Sequence, residues 1–156
     1  MQRAQIGPWE IEYDRKATQA AYAAMESDSD GDCPCQGCRN YLANMSLLPE
    51  EVHQFFDSLG IDPAFPSEIS ASIPPPPWEG PLFYNGVYYY CFGRIVSGPD
   101  NERGTYQCRH SVNEDFEFAF GSKCYWLQEE GIPKEQAIQI EITITLPYRL
   151  DEPYQD

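Results

Sequence analysis

The stretch Ile138–Leu146, "IQIEITITL", decides the fold. Ile138, Ile140, Ile142, Ile144 and Leu146 alternate with Gln139, Glu141, Thr143 and Thr145, and a period of two is that of a β-strand. Alternation this clean predicts one face against a core and the other face wetter, the pattern of an antiparallel sheet rather than of a parallel one buried on both sides. Working outward, Phe116, Phe118 and Phe120 repeat the same period, and "TYQCRHSV" (105–112) reads as a further strand. Upstream, "LFYNGVYYYCFGRIV" carries Asn85-Gly86 between aromatic runs, which predicts a tight hairpin turn there, with Val87, Tyr89, Cys91 and Ile95 sharing a face.

The first half of the chain changes period. "PWEIEYD" alternates at Trp9, Ile11 and Tyr13, and Asp14 can cap the alanine-rich helix "RKATQAAYAAME", with Tyr22 and Met25 on its packing face. A later helix is marked at every point: Pro49 and the acidic Glu50 and Glu51 at its start, Val52, Phe55, Phe56 and Leu59 along one face, and Gly60 at its end. The expected fold is therefore α+β, an N-terminal strand and two or three helices packed on a mainly antiparallel sheet or partial sandwich. A length of 156 residues fits one domain. Within it the sequence suggests a helical, cysteine-bearing part over about 1–71, a proline-rich connector over 72–81, a strand-rich part over 82–148 and an acidic tail over 149–156. The four prolines of "SIPPPPWEGP" form a polyproline-type seam, which Trp78 is expected to dock onto its own domain.

Composition bounds the function. Hydrophobic residues make up 42 % and aromatic residues 14 %, too many for a disordered chain. Twenty-five acidic against ten basic residues give a formal charge of -15, which opposes contact with a phosphate backbone and so argues against direct nucleic-acid binding. The same charge fits solubility or a protein partner with a basic surface, met by the acidic 26–32 loop and the tail. The N-terminus lacks the apolar run of a signal peptide and no segment has the length of a membrane helix, so a cytoplasmic location is expected.

In a reducing compartment six cysteines point to metal or free thiols before structural disulfides. Three of them crowd into "DSDGDCPCQGCRN" (Asp28–Asn40) as a C-x-C-x-x-C cluster, Cys33, Cys35 and Cys38, with Pro34 and Gly37 between them to let the chain wrap an ion. Zinc takes soft sulfur ligands in a tetrahedron and is the expected ion. Reduced thiols packed in a tight turn, or a disulfide from Cys38 to Cys33 or Cys35, are the alternatives. A closed zinc site needs a fourth ligand; His110 is the first candidate and Cys108 the second, followed by Cys91, Cys124 and His53. Asp28, Asp30 and Asp32 do not make an EF-hand, because the glycine falls at the fourth loop position and Arg39 at the twelfth. No phosphate-binding glycine loop or serine elbow is present, and Cys108, His110 and Glu114 would form a nucleophile, base and orienter only through folding that the sequence does not dictate.

The order of "WEIEYD", the helix after it, "CPCQGCRNY", "LPEEV", "FFDSLGIDP" and "IEITITLPYRLDEP" resembles a widespread family of small bacterial proteins with no assigned activity. The resemblance spans nearly the whole chain. It rests on Cys33, Cys35, Cys38 and Asn40, on Leu59 to Pro63, and on Glu141, Pro147 and Glu152; Tyr148 stands where such proteins commonly have Trp. Two functional expectations follow from the residues. One is a non-enzymatic binding or regulatory protein of the immunity or inhibitor type, with a structural zinc site; the other is a metal-dependent enzyme whose zinc keeps an open position for water.

Overall fold

A computed structural model describes residues 1–25, 33–72, 74–100, 109–124 and 131–155. The expected α+β architecture is present. Two strands, β1 (Gln2–Ile6) and β2 (Trp9–Tyr13), form a hairpin, followed by helices α1 (Arg15–Ala23), α2 (Gln36–Asn44) and α3 (Glu50–Leu59). Strands β3 (Glu68–Ser72), β4 (Leu82–Ser97), β5 (His110–Asn113), β6 (Phe116–Gly121) and β7 (Ala137–Leu146) complete the order. The seven strands make one antiparallel sheet, β1-β2-β4-β7-β6-β5, with β3 also paired to β4. The N-terminal strands thus belong to the same sheet as the strand-rich part.

The predicted turn at Asn85-Gly86 is absent. Both residues lie inside the 16-residue strand β4, at a bulge where Tyr84 opposes Ile144 and Val87 opposes Ile142. Gly86 has no positive φ, so the conformation that a type I′ turn demands is not used. Long-range pairing with β7 on one side and β3 on the other overrides the local signal. Strand β4 is long enough to hold two partners along its second edge, β3 opposite Phe83–Tyr88 and β2 opposite Gly93–Ser97. Helix α1 covers the gap between them: the Tyr90 N–H donates to the Tyr22 hydroxyl (3.1 Å) and the Phe92 N–H to Thr18 Oγ1 (3.0 Å), so no backbone donor there is left unpaired. Asp14 starts that helix by accepting from the Ala17 N–H at 2.9 Å, as the sequence implied.

Helix α3 lies on the sheet face of the Ile138 series. Phe55 meets Phe116 and Phe118 at ring distances of 5.4 and 4.5 Å, and Phe56 meets Tyr89 at 5.0 Å. Gly60 ends the helix with φ 80°, and a Cβ there would stand 2.4 Å from the Arg15 carbonyl oxygen, so glycine is required both for the left-handed turn and for the approach of α1. The loop after it explains "LGIDP": Ile61 is buried, Asp62 accepts from the Ala64 N–H, and the Pro63 carbonyl accepts from the Tyr89 hydroxyl at 2.7 Å.

The opposite face of β7 is not the wetter one. Gln139, Glu141 and Thr143 are all buried there; the Tyr90 hydroxyl donates to Gln139 Oε1 at 2.9 Å, and Arg109 approaches Glu141 Oε1 at 3.9 Å. Glu141 is only 6 % exposed, and among the described residues its Oε2 has no hydrogen-bond partner. Burial pushes its carboxyl up to about 7, against the smaller opposing pull of Arg109 and a hydrogen bond from Tyr88. Trp78 docks within its own domain, through an isolated bridge to Tyr154 and an indole N–H donated to the Pro81 carbonyl at 3.0 Å.

Candidate metal centre

The cysteine cluster sits where the chain enters α2. Cys35 is the N-cap, in extended conformation, and its Sγ accepts from the Cys38 N–H at 3.4 Å. Sulfur here takes the place that a Ser, Thr or Asp oxygen has in an ordinary cap, satisfying one of the N–H groups that the first helical turn leaves free. The same turn places Cys38 next to Cys35. The three sulfur atoms all lie within 4.8 Å of one another. In a zinc–thiolate tetrahedron neighbouring sulfurs are about 3.8 Å apart, given Zn–S bonds of about 2.3 Å. The donor set therefore fits a soft divalent ion with only a small contraction.

The three thiols are not equivalent. Cys33 is exposed, and its thiol is held below the ordinary range first by the Cys35 backbone N–H and then by the thiols of Cys35 and Cys38. Cys38 is half-buried and is pushed well up, first by burial and then by its two sulfur neighbours. The two ends of the motif are thus shifted in opposite directions, and a nearby positive charge would offset the burial of Cys38. A metal ion does this, since it binds thiolate and releases the proton.

Only the cysteine part of the expected ligand set is brought together; among the described residues no His, Asp or Glu joins it. His110 lies on β5, paired with Phe118, its ring edge-on to that of Phe118 at 5.6 Å and close against Gly7 of the β1–β2 turn. His53 is on the exposed side of α3. Cys91 and Cys124 are core thiols, pushed up by burial to about 12 and about 11, and Cys124 donates to the Ala137 carbonyl. Cys108 and the acidic 26–32 loop, with Asp28, Asp30 and Asp32, lie outside the described residues.

What sequence reading missed is how α2 is held. Gln36, Asn40 and Asn44 fall at i, i+4 and i+8 on one face and are all buried. Together they bind the backbone of the segment after β7. Gln36 Nε2 donates to the Pro153 carbonyl (3.0 Å) while its Oε1 accepts from the Gln155 N–H (2.8 Å). Asn40 donates to the Pro147 carbonyl (3.2 Å) and to the Tyr84 hydroxyl (3.3 Å), and accepts from the Arg149 N–H (2.8 Å). Asn44 donates to the Pro147 carbonyl (3.1 Å) and accepts from Arg149 Nε (2.7 Å). Tyr84 closes the arrangement by donating to the Gly37 carbonyl at 2.6 Å. The spacing of the three amides was the available signal. It gives no apolar stripe, so a search for hydrophobic periodicity passes over it.

Among the described residues no helix is long and apolar enough to cross a membrane. Comparison of the chain with protein-family models, with curated proteins and with solved structures finds no match, so the site is read from its own chemistry.

Proposed function

We propose that the protein is a small non-enzymatic binding protein built around a structural metal site, with zinc held by Cys33, Cys35 and Cys38. The observation that carries this reading is the convergence of the three sulfur atoms to within 4.8 Å at the start of a helix. The Cys35 N–H lowers the Cys33 thiol, whereas burial raises that of Cys38, so the donor set as a whole needs the ion's charge to bind as thiolate. The fourth position is left to a further protein donor or to water. The formal charge of -15 supports a protein partner with a basic surface, in a reducing compartment such as the cytoplasm where the thiols persist. The exposure of Cys33 supports a second reading, a metal-dependent enzyme with water on the open position.

Elemental analysis of protein purified without chelator tests the site: about one zinc per chain is expected, and Cys38→Ser should lose it. X-ray absorption then separates the two readings. Four protein donors make the site closed and structural, whereas three sulfurs with one water favour the enzyme. Protein free of metal, with all three thiols titrating, overturns the site.

A further inference from the structure

The segment after β7 runs from Pro147 to Gln155 without joining the sheet ladder, apart from the single bridge between Tyr154 and Trp78. Its backbone groups are taken up instead by the side chains of α2, and those side chains interleave with the cysteines. Cys35, Gln36, Cys38, Arg39 and Asn40 occupy the cap and the first turn of one helix. Arg39 adds an ion pair to Glu152, and its Nε donates to the Pro34 carbonyl at 3.0 Å, so one guanidinium spans the cysteine loop and the strap. The Tyr84 hydroxyl likewise links the Gly37 carbonyl, inside the cysteine motif, to Asn40, which holds Pro147 and Arg149. The Tyr154 ring is buried at the far end.

A shift in the first turn of α2 therefore moves both sets of groups at once. Resting on the metal reading above, we propose that the C-terminal segment is a strap whose docking on α2 is coupled to metal occupancy of the Cys33–Cys35–Cys38 site: the ion fixes the helix start and locks the strap, and its loss frees it. The coupling follows from geometry. Three thiols held around one ion leave Gln36, Gly37 and Arg39 a single orientation, the one that places Gln36 between the Pro153 carbonyl and the Gln155 N–H. Without the ion, the thiols contribute only the sulfur cap at Cys35, and the turn rests on that cap and on the Tyr84, Arg39 and Gln36 contacts that also hold the strap. The relation is reciprocal by linkage: the factor by which the ion favours the docked strap is also the factor by which docking tightens metal binding, and undocking can weaken it by no more than that.

Trypsin reports the strap directly, because Arg149 precedes Leu150 within it, while Arg94 in the middle of the sheet reports global opening. The full-length chain is compared with one equivalent of zinc and after stripping with a chelator. Cleavage after Arg149 is expected to speed up about tenfold on stripping, within the usual range of such couplings, with cleavage after Arg94 unchanged. Gln36→Ala replaces no thiol; it should speed cleavage after Arg149 in the zinc form and raise the zinc Kd, the latter by up to the factor that stripping reveals. Zinc bound at one equivalent with no protection of Arg149 overturns the coupling while leaving the metal site standing. So does a Gln36→Ala protein with a freed strap and an unchanged zinc Kd, or stripping that accelerates Arg94 and Arg149 alike. Failure to bind zinc at all overturns both the site and the coupling.

Discussion

Helices α2 and α3 are of similar length and belong to the same domain, yet different forces hold them. Helix α3 presents Val52, Phe55, Phe56 and Leu59 to the aromatic side chains of β4 and β6 and is held by apolar burial. Helix α2 anchors one aromatic ring, Tyr41, against Tyr84, but turns Gln36, Asn40 and Asn44 to a strap of backbone that it holds by hydrogen bonds, with a thiol cluster at its start. Apolar burial is non-directional and tolerates small shifts, whereas a hydrogen bond fails when a helix turns by a fraction of its pitch. Helix α3, the first of these, should hold its place under any solution condition that leaves the core intact. The second should respond to whatever sets its orientation.

The comparison breaks most sharply at Phe56. Removing a fully buried ring that packs on Tyr89 and Phe116 should cost about 4 kcal/mol in Phe56→Ala, read from the denaturation midpoint at constant slope. That loss should be the same with zinc or with chelator. A cost that halves when metal is removed would mean that α3 is not the independent half of the pair.

Asn40→Ala tests the other half. The substitution leaves the Arg149 N–H without its acceptor and the Tyr84 hydroxyl without a donor in a buried place, while Asn44 still serves the Pro147 carbonyl. A cost of about 2–3 kcal/mol is expected, smaller than that of Phe56→Ala because water can reach part of the strap once it loosens. The loss should come with faster cleavage after Arg149, a readout that Phe56→Ala does not share. A cost under about 0.5 kcal/mol would show that the amides merely accompany α2.

The same difference in forces explains which parts of the structure the sequence revealed. Helix α3, β2, β6 and β7 each bury an apolar set at the period of their own secondary structure, and all four are legible residue by residue. Asp14 and Gly60 act locally and were legible for the same reason. The turn expected at Asn85-Gly86 fails because a local preference lost to pairing with β7 and β3, partners distant in sequence. The polar series of β7 looked wet because polar residues usually are, but β4 supplies Tyr88 and Tyr90 on that side. At the candidate site the cysteines were legible from their spacing. The role of Gln36, Asn40 and Asn44 was not, since it depends on where residues more than a hundred positions later come to lie.

Glu141 sharpens the comparison from another side, as a buried polar group that is not fully satisfied. Its folded value of about 7 lies above the ordinary 4.5, so between those pH values the folded chain keeps a proton that the unfolded chain has lost. Stability is therefore greatest below pH 4.5 as far as this group is concerned, falls as pH rises towards 7, and is flat beyond. Glu141→Gln removes the ionisation and should raise stability at pH 8 by about 2 kcal/mol relative to the parent, with the difference shrinking towards pH 4.5. Denaturation of both proteins across that range checks the sign. A variant less stable at pH 8 than at pH 5, relative to the parent, would assign the carboxylate a stabilising partner instead.

The smallest effect should come from the Arg39–Glu152 pair, although it spans the cysteine turn and the strap. The two side chains are 44 % and 47 % exposed, so water and salt screen their attraction, and holding two long side chains in one geometry costs rotamer entropy. Glu152→Gln should lower stability by about 0.5 kcal/mol or less, and by nothing measurable in 1 M salt, where screening acts over about 3 Å. The Gln36 and Asn40 contacts are shielded from both effects because they are neutral and buried. If α2 is held as described, Glu152→Gln leaves the rate of cleavage after Arg149 within about twofold of the parent while Gln36→Ala does not. A Glu152→Gln protein whose strap opens as readily as that of Gln36→Ala would place the hold on the strap in its charges, and the contrast between the two helices would become one of surface electrostatics against core burial.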